Sequence, residues 1–202
     1  MKDNLLKDLK KVKWDVAFKT FGSMHSTLIG LLVEWWIVHG SGRNRHALEE
    51  GCTFKYHKKG MGSQRCDAVL LEGDDNARGI VEAEGSGHKE TINKMGKFFR
   101  STRFGDLKFG IFLAYPTANS AQKGFYFEYD RKKMIERGKK ITKKIKSVKL
   151  IMLFLEKEYE ACNKKHFRSM NPFYRGTLKE VSGVILCEGS EICELQTIWL
   201  QK

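Results

Sequence analysis

The sequence predicts an α/β fold, a mixed central β-sheet flanked by helices, and three observations carry that reading. Three strand-like segments follow one another between residues 53 and 84, separated by glycine-containing breaks. The hydrophobic period then changes to that of an amphipathic helix over His88 to Arg100. Two nearly continuous apolar runs, Lys108 to Tyr115 and Val148 to Leu155, enclose a second amphipathic helix, as central strands covered on both faces do. Three meandering strands followed by helix-linked strands give a sheet with helices packed against it.

Taken in order, Lys2 to Lys13 reads as a short charged helix with Leu5, Leu6, Leu9 and Val12 inward. Ser23 to Ser26 offers a cap for a helix from about Thr27 to Val38, whose Leu28, Leu31, Leu32, Trp35 and Val38 keep helical spacing. Gly40-Ser41-Gly42 ends that helix, and Arg43 to Gly51 reads as a basic loop or short helix. The three strand candidates are Thr53 to His57, Arg65 to Leu71 and Gly79 to Glu84. A turn at Gly73-Asp74-Asp75-Asn76 makes the last two antiparallel neighbours. In the first amphipathic helix Ile92, Met95 and Phe99 form the inner stripe. The second spans Asp130 to Lys146, and the tail, Val181 to Leu186 and Ile192 to Leu200, reads as two further strands.

At 202 residues the chain fits a single domain, with a core of about 24–155 and a C-terminal extension of about 156–202. Hydrophobic residues at 41% favour a folded protein over disorder. The formal net charge of +13, with pI near 9.5, points to a polyanionic partner, of which nucleic acid is the commonest. Five cysteines without a CxxC pair indicate neither a disulfide framework nor a zinc finger. The N-terminus lacks a secretory pattern, and the apolar stretch Leu28 to Val38 is too short to span a bilayer and contains Glu34. The expectation is a soluble, intracellular, cytoplasmic protein without a membrane partner.

The chemistry-bearing residues are acidic. Side chains alternate along a strand, so Ile80, Glu82 and Glu84 share one face while Val81 and Ala83 take the other. Two like charges so close repel unless a cation or base lies between them. Asp67, on the preceding strand, adds a third carboxylate to the same sheet end. Such a cluster suits Mg²⁺ or Mn²⁺, hard ions that take oxygen ligands and retain several waters. An ordinary amphipathic strand with a solvated polar face is the competing reading of Glu-x-Glu alone.

In context, Asp67 within Arg65-Cys66-Asp67-Ala68-Val69-Leu70 and Glu82-Ala83-Glu84 within Ile80-Val81-Glu82-Ala83-Glu84 resemble the PD-(D/E)XK, or restriction-endonuclease-like, superfamily. That pattern places an Asp on one strand and Glu-x-Lys on the next, inside an αβββαβ core. The resemblance runs from about Thr27 to Leu155. It implies a Mg²⁺- or Mn²⁺-dependent endonuclease acting on nucleic acid, DNA favoured over RNA, and a homodimer would suit double-strand cutting. By resemblance Asp67 and Glu82 bind the metal together with the Ala83 carbonyl, and Glu34 of the first helix matches a further ligand. Cys66 replaces the motif proline, and Glu84 replaces the motif lysine as general base or further ligand. Some members supply the missing cation from the following helix. On a wheel built from Ile92, Met95 and Phe99, Lys94 lies opposite the stripe and faces solvent, which leaves Lys89 as the candidate.

Two basic segments complete the reading. The loop containing Lys55, Lys58, Lys59, Gln64 and Arg65 leads toward Asp67 and is the expected nucleic-acid contact. From Arg131 to Lys149, ten of nineteen residues are Lys or Arg, enough to follow a phosphate backbone or simply to form a solvated face. No HExxH and no GxxxxGK[ST] spacing occurs, which excludes the familiar zinc-hydrolase and ATP-binding patterns. The alternative to a nuclease is a non-catalytic nucleic-acid-binding protein with a degenerate nuclease fold, favoured by the missing motif lysine.

Overall fold

The computed structural model describes residues 9, 12, 16–18, 21–39, 44–49, 66–85, 89–100, 107–115, 131–158, 176–188 and 191–195. Within them the order is β1 (Val16–Phe18), α1 (Phe21–Val38), β2 (Arg45–Glu49), β3 (Ala68–Glu72), β4 (Asn76–Gly85), α2 (Lys89–Phe99), β5 (Phe109–Tyr115), α3 (Arg131–Lys144), β6 (Lys149–Glu158), β7 (Gly176–Glu188) and β8 (Glu191–Leu195). The strands form one mixed sheet in the order β1-β7-β6-β5-β4-β3-β2, with β8 on β7. Strands β4, β5 and β6 are parallel neighbours, β2, β3 and β4 are antiparallel, and β6–β7 is antiparallel again. The expected mixed α/β architecture is present.

Alternation along the strands sorts the core into two layers. Ala68, Leu70, Val81, Ala83, Ile111, Leu113, Ile151 and Leu153 pack under α1. Val69, Leu71, Ile80, Phe112, Ala114, Leu150, Met152 and Phe154 pack under α2 and α3. Each fully buried leucine, such as Leu28 or Leu32 on α1, contributes roughly 2 kcal/mol of transfer free energy. Leu9 and Val12 join the α1 layer, which fits the inward positions read in the N-terminal segment.

Helix α1 starts at Phe21, so the residues expected to cap it lie inside its first turns. Its buried face is Leu28, Ile29, Leu32, Trp35 and Trp36, while Val38 is 63% exposed. Trp36 decides this rotation: its indole N–H donates to the Leu71 carbonyl at 2.8 Å, and its ring packs on Phe109. Strand β2 lies where a basic loop or short helix was expected. It lies at one edge of the sheet among the described residues, and Arg45 lies over the Trp36 ring, its Nε 3.8 Å from Glu72. Those partners are distant in sequence, so no local alternation announces the strand. The expected strand at Thr53 to His57 lies outside the described residues.

Two local features set the positions of β4 and α2. The β3–β4 turn holds Gly73 at φ 64° and Asp75 at φ 63°, a left-handed conformation that glycine adopts without strain. On β5, a Cβ added at Gly110 would meet the Phe99 ring at 2.5 Å and the Met95 methyl at 2.7 Å. The bare glycine therefore lets α2 lie close against the sheet, beside the acidic strand β4.

Candidate functional site

Asp67 stands in the bend that leads into β3, and Glu82 lies near the carboxyl end of β4. The antiparallel register pairs Ala68 with Val81, which brings the two acidic residues to the same end of the hairpin. Asp67 Oδ2 accepts a 2.7 Å hydrogen bond from the Ala83 N–H, fixing the bend to β4. Ala83 thus contributes its amide to Asp67, a role the sequence resemblance did not assign. Glu84 is partly buried two residues beyond Glu82.

Glu82 is the unusual member. It is only 1% exposed and sits in register beside Phe112 of β5. Lys94 Nζ lies 3.0 Å from each of its oxygens and donates a hydrogen bond to Oε2, whereas buried Oε1 has no hydrogen bond. Burial, and next the charge of Asp67, push the Glu82 carboxyl well above the usual carboxylate range. The Lys94 ammonium pulls the other way, and Glu84 adds a further upward push. Cys66, in the motif-proline position, is buried, and that burial, then Glu82, push its thiol up, away from the thiolate form.

Lys94 overturns the expectation that this residue faces solvent. Its side chain is 21% exposed and its ammonium lies 5.8 Å from the centre of the Phe98 ring. The wheel built on Ile92, Met95 and Phe99 left out Phe98, which is fully buried. Adding it widens the inner face toward Lys94, one turn back from Phe98. Lys89 opens α2, and its side chain lies outside the described residues.

Helix α1 also contributes differently than expected. Glu34 is exposed, as are Thr27 and the helix end, so its polar stripe faces water. It lies nine residues beyond His25, roughly 13 Å along the axis. His25 instead reaches the acidic end: its Nε2 is 3.7 Å from Asp67 Oδ2. The sequence signal for His25 was hidden because the helix appeared to begin after it.

Among the described residues, no group of three or more His, Cys, Asp or Glu side chains is close enough to hold a metal ion. Asp67 and Glu84 both act electrostatically on Glu82, but Asp67 is tied to Ala83 and Glu82 to Lys94. The expected nucleic-acid contacts Lys55, Lys58, Lys59, Gln64 and Arg65 lie outside the described residues. No helix among those described is long and apolar enough to cross a membrane. No protein-family model, curated protein or solved structure matches the chain.

Proposed function

We propose that this protein is a Mg²⁺- or Mn²⁺-dependent endonuclease that hydrolyses phosphodiester bonds, with DNA the favoured substrate. The observation that carries the reading is a nearly sealed glutamate, Glu82, held by one lysine beside two further carboxylates at the carboxyl ends of parallel strands. Open α/β sheets bind ligands at that end. Lys94, on the helix that follows the motif, offers a cation where Glu84 replaces the motif lysine, and so supports the resemblance to PD-(D/E)XK nucleases.

The donor set fits a hard divalent ion. Glu82 Oε1 is buried without a hydrogen bond, and Mg²⁺ commonly uses only one or two carboxylates and keeps its waters. Asp67 and Glu82 would hold it. When bound, such an ion acidifies water and stabilises charge on phosphate oxygens. Glu84 accepts a proton from the attacking water, whose oxygen bonds to phosphorus as the bond to the bridging oxygen breaks. The leaving oxygen takes its proton from solvent. Lys94 holds Glu82 in place and offsets negative charge as the phosphate approaches.

Incubating supercoiled plasmid with protein and Mg²⁺ or Mn²⁺ tests this directly. Nicked or linear product is expected, absent with Glu82→Ala. A second reading, a non-catalytic nucleic-acid-binding protein on the same fold, draws on the Lys94 ammonium already neutralising Glu82 and on the lack of a three-group cluster. Intact binding without cleavage of any DNA or RNA form supports that reading and overturns the first.

A further inference from the structure

We infer that the outer face of α3 is a phosphate-backbone docking surface for nucleic acid, on the same side of the sheet as Glu82; this rests on the nuclease reading for its purpose but not for its test. Helix α3 is anchored by Met134 and Thr142, both buried, with Ile135, Ile141 and Ile145 partly buried against the α2 layer. Its exposed side carries Lys132, Lys133, Lys139, Lys140, Lys143 and Lys144, with Glu136 as the single exposed acid. At 100° per residue these lysines occupy an arc of about 140°, so they form one face and not a ring. They extend over roughly 18 Å of helix axis, about five base pairs of duplex.

The character of the face selects its occupant. A helix that lies in a membrane interface presents large apolar side chains beside its cations. None is exposed on α3, since the exposed large apolar residues among those described are Ile37 and Val38 of α1. All six cations are lysines, point charges without the planar fork that reads base edges or clasps carboxylates bidentately. That combination fits repeated phosphates and sequence-independent binding. The face also lies on the α2 side of the sheet, the side to which Lys94 and Glu82 belong. A strand lying along α3 therefore runs on the same side of the molecule as the buried glutamate.

The test is binding of a fluorescein-labelled 20-base-pair duplex of arbitrary sequence, in chelator, measured by anisotropy from 50 to 300 mM salt. A variant with Lys139, Lys140, Lys143 and Lys144 all changed to Gln is expected to bind at least about tenfold more weakly at 100 mM salt. Its log–log salt slope should fall by about two or more, with Tm unchanged. The matching all-Arg variant is expected to restore both affinity and slope. Unchanged affinity and slope in the Gln variant overturn the inference, as does failure of the Arg variant to bind. Preferential capture of phosphatidylserine vesicles over duplex by the unaltered protein overturns it too. Because no metal is present, a loss of binding here and an absence of plasmid cleavage are separate results.

Discussion

The two ends of the β3–β4 hairpin treat their carboxylates in opposite ways. At the turn end, Glu72 lies between two arginines, with Arg78 Nε at 2.9 Å and Arg45 Nε at 3.8 Å, and Arg45 also packs on Trp36. One acid has two cations there, and Asp75 meets His46 at 2.9 Å in the turn itself. At the open end, Lys94 pairs with Glu82, on which Asp67 and Glu84 both act as like charges, and His25 lies 3.7 Å from Asp67. Glu72 thus has two arginines beside it, whereas buried Glu82 has one lysine beside it and two acids acting on it. A carboxylate that is buried and whose ionisation is disfavoured by its neighbours is a candidate functional group, which is how the proposed nuclease reading uses Glu82.

The largest expected effect separates the ends by activity. Glu82→Gln or Asp67→Ala should lower plasmid cleavage on the order of 10³-fold, the scale of a lost acid–base or metal-binding group. Glu72→Gln, at the other end, should leave cleavage rates unchanged and cost only about 1 kcal/mol of stability in urea. Equal losses at both ends would mean that the hairpin acts only through its fold.

Removing a cation should then divide the ends by stability. Lys94→Met leaves Glu82 buried and unpaired, an expected loss of about 3 kcal/mol by urea denaturation. Arg78→Met leaves Glu72 partly exposed and still near Arg45, so about 1 kcal/mol is expected. A Lys94→Met/Glu82→Gln double variant should recover much of the first loss, since no buried charge remains.

How far this arrangement could be read from sequence depends on which residues supply the partners. Strands β3 to β6, helices α2 and α3, and the acidic trio declare themselves through period and apolar runs, which are local. Lys94 does not, because its inward lean depends on Phe98 joining the buried face and on Gly110 admitting the helix. Strand β2 and His25 are likewise set by partners on other elements: Trp36 and Glu72 in one case, Asp67 in the other. Helix α1 rotates to bury Trp36, whose N–H needs the Leu71 carbonyl, and this turns Glu34 outward.

Titration should distinguish the ends more finely. The folded Glu82 carboxyl holds its proton more tightly than the unfolded one, because its value is raised by burial and Asp67. The stability this gives is full below the ordinary carboxylate range and is lost as pH rises through the raised folded value. Without metal, the Tm of Glu82→Gln should therefore gain on that of the unaltered protein as pH rises from 4 toward 9. A constant difference across that range would place Glu82 in an unperturbed environment.

The smallest effect concerns the two histidines. His25→Ala should weaken Mn²⁺ binding about tenfold by loosening Asp67, with little change in Tm. His46→Ala, beside Asp75 at the turn, should not alter Mn²⁺ binding. Isothermal titration of both variants makes the comparison.

Diffraction from crystals soaked in Mn²⁺, recorded for the manganese anomalous signal, asks whether Asp67 and Glu82 hold a divalent ion. A peak is expected between the Asp67 and Glu82 carboxylates, absent in Glu82→Gln and absent beside Glu72. No peak there at saturating Mn²⁺, with Lys94 still holding Glu82, would contradict that expectation.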